Sequence, residues 1–110
     1  MFPTPVPSVT AQQVEAGARV LDVREDDEWE AGHIEGALHI PLAQVPQRLE
    51  ELVGDEPLVV VCRSGGRSSR AVAWLSQQGV DAVNLDGGMG AWQAAGRPMT
   101  SELDSQPFVR

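Results

Sequence analysis

The chain has a single cysteine, Cys62, among its 110 residues. That excludes an internal disulfide and an internal resolving thiol, so any group Cys62 takes up has to leave to something outside the chain. Basic side chains are few: 8 Lys and Arg stand against 16 Asp and Glu, a net charge of −8. Nucleic acid and anionic membrane both demand broad basic surface, so neither is expected as a partner and any anion site has to be local. No apolar run approaches the roughly 18 residues of a membrane-spanning helix. Residues 1–7 lack the basic region and apolar core of a secretory signal, and a cytoplasmic protein is expected. The two histidines, His33 and His39, have no neighbouring cysteine or grouped carboxylates, so no metal site and no cofactor are expected.

With 42% hydrophobic and 22% charged residues the composition is that of an ordinary soluble domain, and the length suits one. The proline-rich residues 1–7 read as a flexible arm, residues 8–99 as the domain and the polar residues 100–110 as a loose tail. Val9 suits a brief strand, and Thr10 with Gln13 forms a capping-box pattern for a short helix. Val20-Leu21-Asp22-Val23 reads as a buried strand, with Asp22 and Arg24 projecting to one side. The contiguous acids from Glu25 to Glu30 suit the positive N-terminal end of a helix better than a cation loop, which spaces its ligands. Leu42, Val45, Leu49 and Leu52 fall at helical spacing and are expected to cover one sheet face. Ala82-Val83-Asn84-Leu85 reads as a last strand. The glycines at 87, 88 and 90 lack the full phosphate-loop spacings and are expected to make a tight turn before a short helix carrying Trp92.

The chemistry gathers in one stretch. Leu58-Val59-Val60-Val61 has the unbroken apolar character of a central parallel strand, and it ends at Cys62. Gly65 and Gly66 permit a tight turn, and a helix is expected from Ser68, a good N-cap type, with Ala71, Val72 and Leu75 on one face. Alternating strands and helices imply right-handed crossovers and a parallel sheet, whose ligands gather at the carboxyl ends of the strands. A buried cysteine is ordinarily a small hydrophobe. Here Arg63, Arg67 and Arg70 and a helix N-terminus surround it, and such settings lower a thiol pKa to about 3.5–7.5 in reactive cases. The loop N–H groups can cradle a thiolate and an incoming anion. On these grounds alone, sulfur transfer through a persulfide and phosphoryl or arsenyl chemistry through a cysteine adduct both remain open.

Four residues separate Cys62 from Arg67, one fewer than in the phosphate ring of low-molecular-weight and dual-specificity tyrosine phosphatases. The loop Cys62-Arg63-Ser64-Gly65-Gly66-Arg67, with Leu21-Asp22-Val23-Arg24, Glu28-Trp29, Gly32-His33-Ile34-Glu35-Gly36-Ala37 leading to Ile40-Pro41, and Leu85-Asp86-Gly87-Gly88 with Trp92, closely resembles the small single-domain members of the rhodanese-like sulfurtransferase family. The resemblance runs from about residue 9 to residue 99. It implies an α/β fold with a five-stranded parallel sheet flanked by helices on both faces, and a ping-pong sulfurtransferase. Cys62 would take sulfur from thiosulfate or another sulfane donor such as a persulfide, then pass it to cyanide, an external thiol or a protein acceptor. The N–H groups of Arg63, Ser64, Gly65, Gly66, Arg67 and Ser68 would hold the persulfide charge. Arg63 and Arg67 are the candidates for gripping the donor's oxyanion, Arg67 equally as a brace on loop carbonyls. Asp22, Arg24 and His33 would be structural supports. The same fold also hosts phosphatases, arsenate reductases and non-catalytic modules; the missing second cysteine speaks against a reductase, and the retained Cys62 against a module without turnover.

Overall fold

The structure, a computed structural model, describes residues 6–110. Five parallel strands form one sheet in the order β1-β5-β4-β2-β3: β1 Ser8–Val9, β2 Arg19–Asp22, β3 Leu38–His39, β4 Leu58–Val61 and β5 Ala82–Leu85. The α-helices are α1 Asp26–Ala31, α2 Gly66–Gln77 and α3 Gly88–Ala94. β4, wholly buried, lies at the centre with β2 and β5 on its two sides. Burial on both faces is why its sequence shows no polar alternation.

The pleat divides the core in two. Leu58, Val60 and Cys62 of the central segment, with Leu21 and Val23, pack against Ala71, Val72 and Leu75 of α2. Val59 and Val61, with Val20 and Leu85, pack on the other side with Met89 and Trp92 of α3. Among the described residues no helix is long and apolar enough to cross a membrane.

Three local expectations need correction. Over residues 42–52 there is no continuous α-helix but two 3₁₀ segments, Leu42–Gln44 and Pro46–Glu51, the second kinked at Arg48 (φ −118°, ψ 25°). Pro46 has no N–H to give to the Leu42 carbonyl, which instead accepts from Val45 at 3.2 Å, so an α-turn cannot propagate there. Leu42, Val45, Leu49 and Leu52 still pack on the α2 side of the sheet, because their spacing serves a three-residue turn nearly as well. Of the arm expected over residues 1–7, residues 1–5 lie outside the described residues, while Val6 packs on the core and the Pro7 carbonyl accepts from the Asn84 N–H at 2.8 Å. The tail expected to be loose is held by a strand-like bridge between Thr100 and His33, by Glu102 N–H to the Glu30 carbonyl at 3.0 Å, and by Phe108 N–H to the Ala31 carbonyl at 3.0 Å. Its polar, aperiodic sequence carried no sign of these bonds, because main-chain groups make most of them.

Candidate active site

The carboxyl end of β4 delivers Cys62 to the start of α2. The residue is 1% exposed, so its Sγ forms the floor of the loop. The Gly65 N–H donates to Sγ at 3.0 Å, with Gly65 at φ +111°, a left-handed conformation that a side chain would strain. Gly65 is the N-cap, and α2 begins at Gly66 rather than at Ser68. Ser68 instead lies inside the first turn, fully buried, with its Oγ 3.3 Å from Sγ. It is a partner of the thiol and not a helix cap.

Burial pushes the Cys62 thiol up, since a thiolate loses water there. The Ser68 hydroxyl and the N–H groups of Ser68, Gly65 and Ser64 outweigh it, and the thiol ends below its ordinary value. The anion is thus stabilised by neutral donors converging on one atom. The Arg67 guanidinium feels the same charge, which contributes to its own upward shift after its bond to Glu28.

Asn84, a residue the sequence reading left as part of a strand, ties the cradle to the sheet. It lies in β5 beside Val60 and is buried. Its Oδ1 accepts from Ser68 Oγ at 2.5 Å and its Nδ2 donates to the Gly65 carbonyl at 3.3 Å. One amide therefore grips both sides of the loop. An asparagine in the middle of an apolar strand was the available signal, because a buried amide needs partners.

A second support comes from α3. Met89 N–H donates to the Cys62 carbonyl at 2.8 Å and Gly90 N–H to the Arg63 carbonyl at 3.0 Å. This approach needs glycine at 88: a Cβ there would lie 2.4 Å from the Cys62 carbonyl oxygen, and its φ is +59°. The Gly87-Gly88 pair makes the expected tight turn, and the turn docks a helix end against the backbone of Cys62 and Arg63.

The arginines part company. Arg67 makes two bonds to the Glu28 carboxylate, at 2.8 and 2.9 Å, and so neither braces loop carbonyls nor points a free guanidinium at the thiol. Arg67 holds the Glu28 carboxyl down to about 2, against the counteracting effect of burial. In the sequence Glu28 stands in the acidic start of a helix and in the motif Glu28-Trp29; its pairing partner lies 39 residues away and leaves no local signal. Arg63 is exposed and its Nε donates to the Arg110 main-chain oxygen at 3.1 Å. Arg70 is exposed on α2.

Below the rim, Asp22 and Arg24 form a fully buried pair at 2.8 Å, and Arg24 also donates to the Gly32 carbonyl at 2.7 Å. His33 stacks on Trp29 with centroids 3.5 Å apart and its Nδ1 bonds the Trp29 carbonyl at 2.9 Å. His39 stacks on the same indole with centroids 4.7 Å apart and donates from Nε2 to the Arg24 carbonyl at 2.7 Å. These contacts hold α1 and the end of β2 together.

The site gathers N–H and hydroxyl donors around one sulfur, an arrangement that favours its anionic form. A model of the rhodanese-like domain matches residues 7–95. A putative sulfurtransferase of Bacillus subtilis, YtwF, is 42% identical over 79 residues, covering 72% of this chain and 77% of its own. A thiosulfate sulfurtransferase of Pseudomonas aeruginosa, GlpE, is 37% identical over 101 residues, 91% of this chain and 92% of its own. A crystal structure of a rhodanese-related protein from Thermoplasma volcanium superposes with a TM-score of 0.81 at 33% identity, covering 86% of this chain and 97% of that one.

Proposed function

Since the chain belongs to the rhodanese-like domain family, we propose that it is a sulfurtransferase working through a persulfide on Cys62, with thiosulfate or another sulfane sulfur compound as donor and a thiol or cyanide as acceptor. The observation that carries this reading is the Cys62 Sγ held by the Gly65 N–H at 3.0 Å and by Ser68 Oγ at 3.3 Å. Donors arranged around sulfur favour its anionic form, which is the nucleophile.

In the first half-reaction the Cys62 thiolate attacks the outer sulfur of thiosulfate. A Cys62 S–S bond forms, the donor's S–S bond breaks, and sulfite departs with the bonding electron pair. The negative charge then rests on the terminal persulfide sulfur, where the N–H groups of residues 63–68 and the Ser68 hydroxyl receive it. In the second half-reaction the acceptor, as a thiolate or cyanide, attacks that terminal sulfur and the Cys62 thiolate leaves. Atoms and charge balance in each half, and no general base is needed. With no second cysteine in the chain, the acceptor has to be external.

Arg63, exposed and next in the chain to Cys62, is the donor-binding side chain in this reading. Arg67 serves the site as a brace through Glu28. The test is the intact mass after incubation with thiosulfate: gain of one sulfur atom by the protein and none by Cys62→Ser is expected. Hydrolysis of an aryl phosphate with no sulfur adduct would overturn the reading.

A further inference from the structure

Residues 99–110 follow α3 and cross the outer side of α1. Met99 and Val109 pack on the α3 face of the core. Thr100 bridges to His33, Ser101 Oγ donates to the Glu30 carbonyl at 3.1 Å, and Phe108 N–H donates to the Ala31 carbonyl at 3.0 Å. The fit at the end of α1 is tight: a Cβ on Gly32 would lie 2.5 Å from the Phe108 carbonyl oxygen and 2.7 Å from Met99 Cε. So the segment has its own seat on the helix.

Its end reaches the catalytic loop. The Arg110 Nε lies 3.1 Å from the Asp27 carboxylate, and the Arg110 main-chain oxygen accepts from Arg63 Nε at 3.1 Å. Among the described residues Arg63 hydrogen-bonds through Nε alone, which leaves both of its amino groups for a ligand. A long side chain tethered at Nε has already given up much of its rotamer freedom and pays less to grip an anion. The Arg110 to Asp27 pair is exposed, with side chains 60% and 58% accessible, so by itself it is a weak anchor; the seat on α1 carries the rest.

We propose that residues 99–110 are part of the donor site: the Arg110 main-chain oxygen holds Arg63 in its working orientation toward the donor's oxyanion, and Asp27 with the Ala31 to Phe108 bond holds Arg110. Arg110 and Asp27 are positioning residues, acting only through Arg63. The inference rests on the sulfurtransferase reading and on Arg63 as its donor contact.

The test measures sulfite release against thiosulfate concentration for the full chain, for a chain ending at residue 106, for Asp27→Ala and for Arg63→Ala, with and without the truncation. Truncation is expected to raise KM roughly ten-fold and Asp27→Ala two- to three-fold, with kcat held within about two-fold, which is the range set by freeing one long side chain. In the Arg63→Ala background truncation should change nothing further. The Arg63 Nε–H resonance, assigned by its loss in Arg63→Lys, should exchange with water faster in the truncated chain and in Asp27→Ala. An equal KM rise without Arg63, an unchanged KM, or a KM that falls on truncation overturns the proposal. If Arg63→Ala alone leaves KM unaltered while sulfur still loads, the proposal fails and the sulfurtransferase reading stands. If the full chain takes no sulfur from thiosulfate, the donor role fails with that reading, whatever the resonance does.

Discussion

The Oγ of Ser68 lies 3.3 Å from the Sγ of Cys62. The same oxygen is 2.5 Å from Asn84 Oδ1, and a hydroxyl has one proton to give. With Cys62 as a thiol, its S–H can donate to Oγ while Ser68 donates to Asn84. With Cys62 as a thiolate, sulfur and Asn84 Oδ1 compete for the Ser68 proton.

Ser68→Ala removes a donor to the thiolate, so the thiol midpoint should move upward. Hydrogen bonds to charged groups contribute about 1.5–3 kcal/mol, and persulfide loading at pH 7 should fall roughly ten-fold or more. Alkylation rate against pH measures the first and time-resolved intact mass the second. An unshifted midpoint would remove Ser68 from the thiolate's support.

Asn84 separates positioning from charge. Asn84→Ala leaves the Ser68 hydroxyl and the Gly65 carbonyl without their strand-side partner and should cost on the order of 1–3 kcal/mol of stability. That corresponds to a melting temperature lower by several degrees in a domain of this size. Asn84→Asp keeps an oxygen near Ser68 but sets a carboxylate close to the thiolate and against the Gly65 carbonyl. Its thiol midpoint should therefore lie above that of Asn84→Ala. The reverse order in an alkylation profile would show that the amide does not face the sulfur's surroundings.

Gly88→Ala tests the docking of α3. The methyl would collide with the Cys62 carbonyl and would hold a left-handed φ of +59°. Strain of this kind costs on the order of 1–3 kcal/mol. The expected result is a lower melting temperature and slowed sulfur loading together, since the displaced backbone is that of Cys62 itself. Unimpaired loading in a destabilised variant would show that α3 supports the fold without shaping the cradle.

These residues differ in how they could be read from the chain. The strands and α2 were legible because their apolar spacing is dictated by local geometry, and β4, α2 and the loop between them are contiguous in sequence. Asp22 and Arg24 pair across two residues, so strand parity alone put them on one side. Glu28 with Arg67, Asn84 with Ser68, and Arg63 with Arg110 meet only because the sheet order brings distant segments together. Ser68 differs from its expected role for a related reason: its residue type suits a cap, but Gly65, three residues earlier, takes that position. Pro46, by contrast, was a local breaker, and the helical spacing of the leucines around it obscured its effect.

The Glu28 to Arg67 pair gives a pH-dependent prediction. Glu28 has its carboxyl held from the ordinary 4.5 down to about 2, first by the Arg67 bond. A depressed carboxyl stabilises the fold above the unfolded value and loses that contribution as pH falls through the folded one. The stability gap between the native protein and Glu28→Gln should be full at pH 7, narrow below about 4.5 and close near 2. Because the guanidinium is 31% and the carboxylate 14% exposed, screening keeps the gap on the order of 1 kcal/mol. Arg67→Ala is expected to be the worse lesion, leaving a mostly buried carboxylate without its main partner, and adding Glu28→Gln to it should recover stability. Denaturant unfolding of the native, single and double variants at pH 7 and at pH 3 measures both effects. A double variant weaker than Arg67→Ala by the full Glu28→Gln cost would mean that the two side chains act independently, and that Arg67 supports the loop by some other contact.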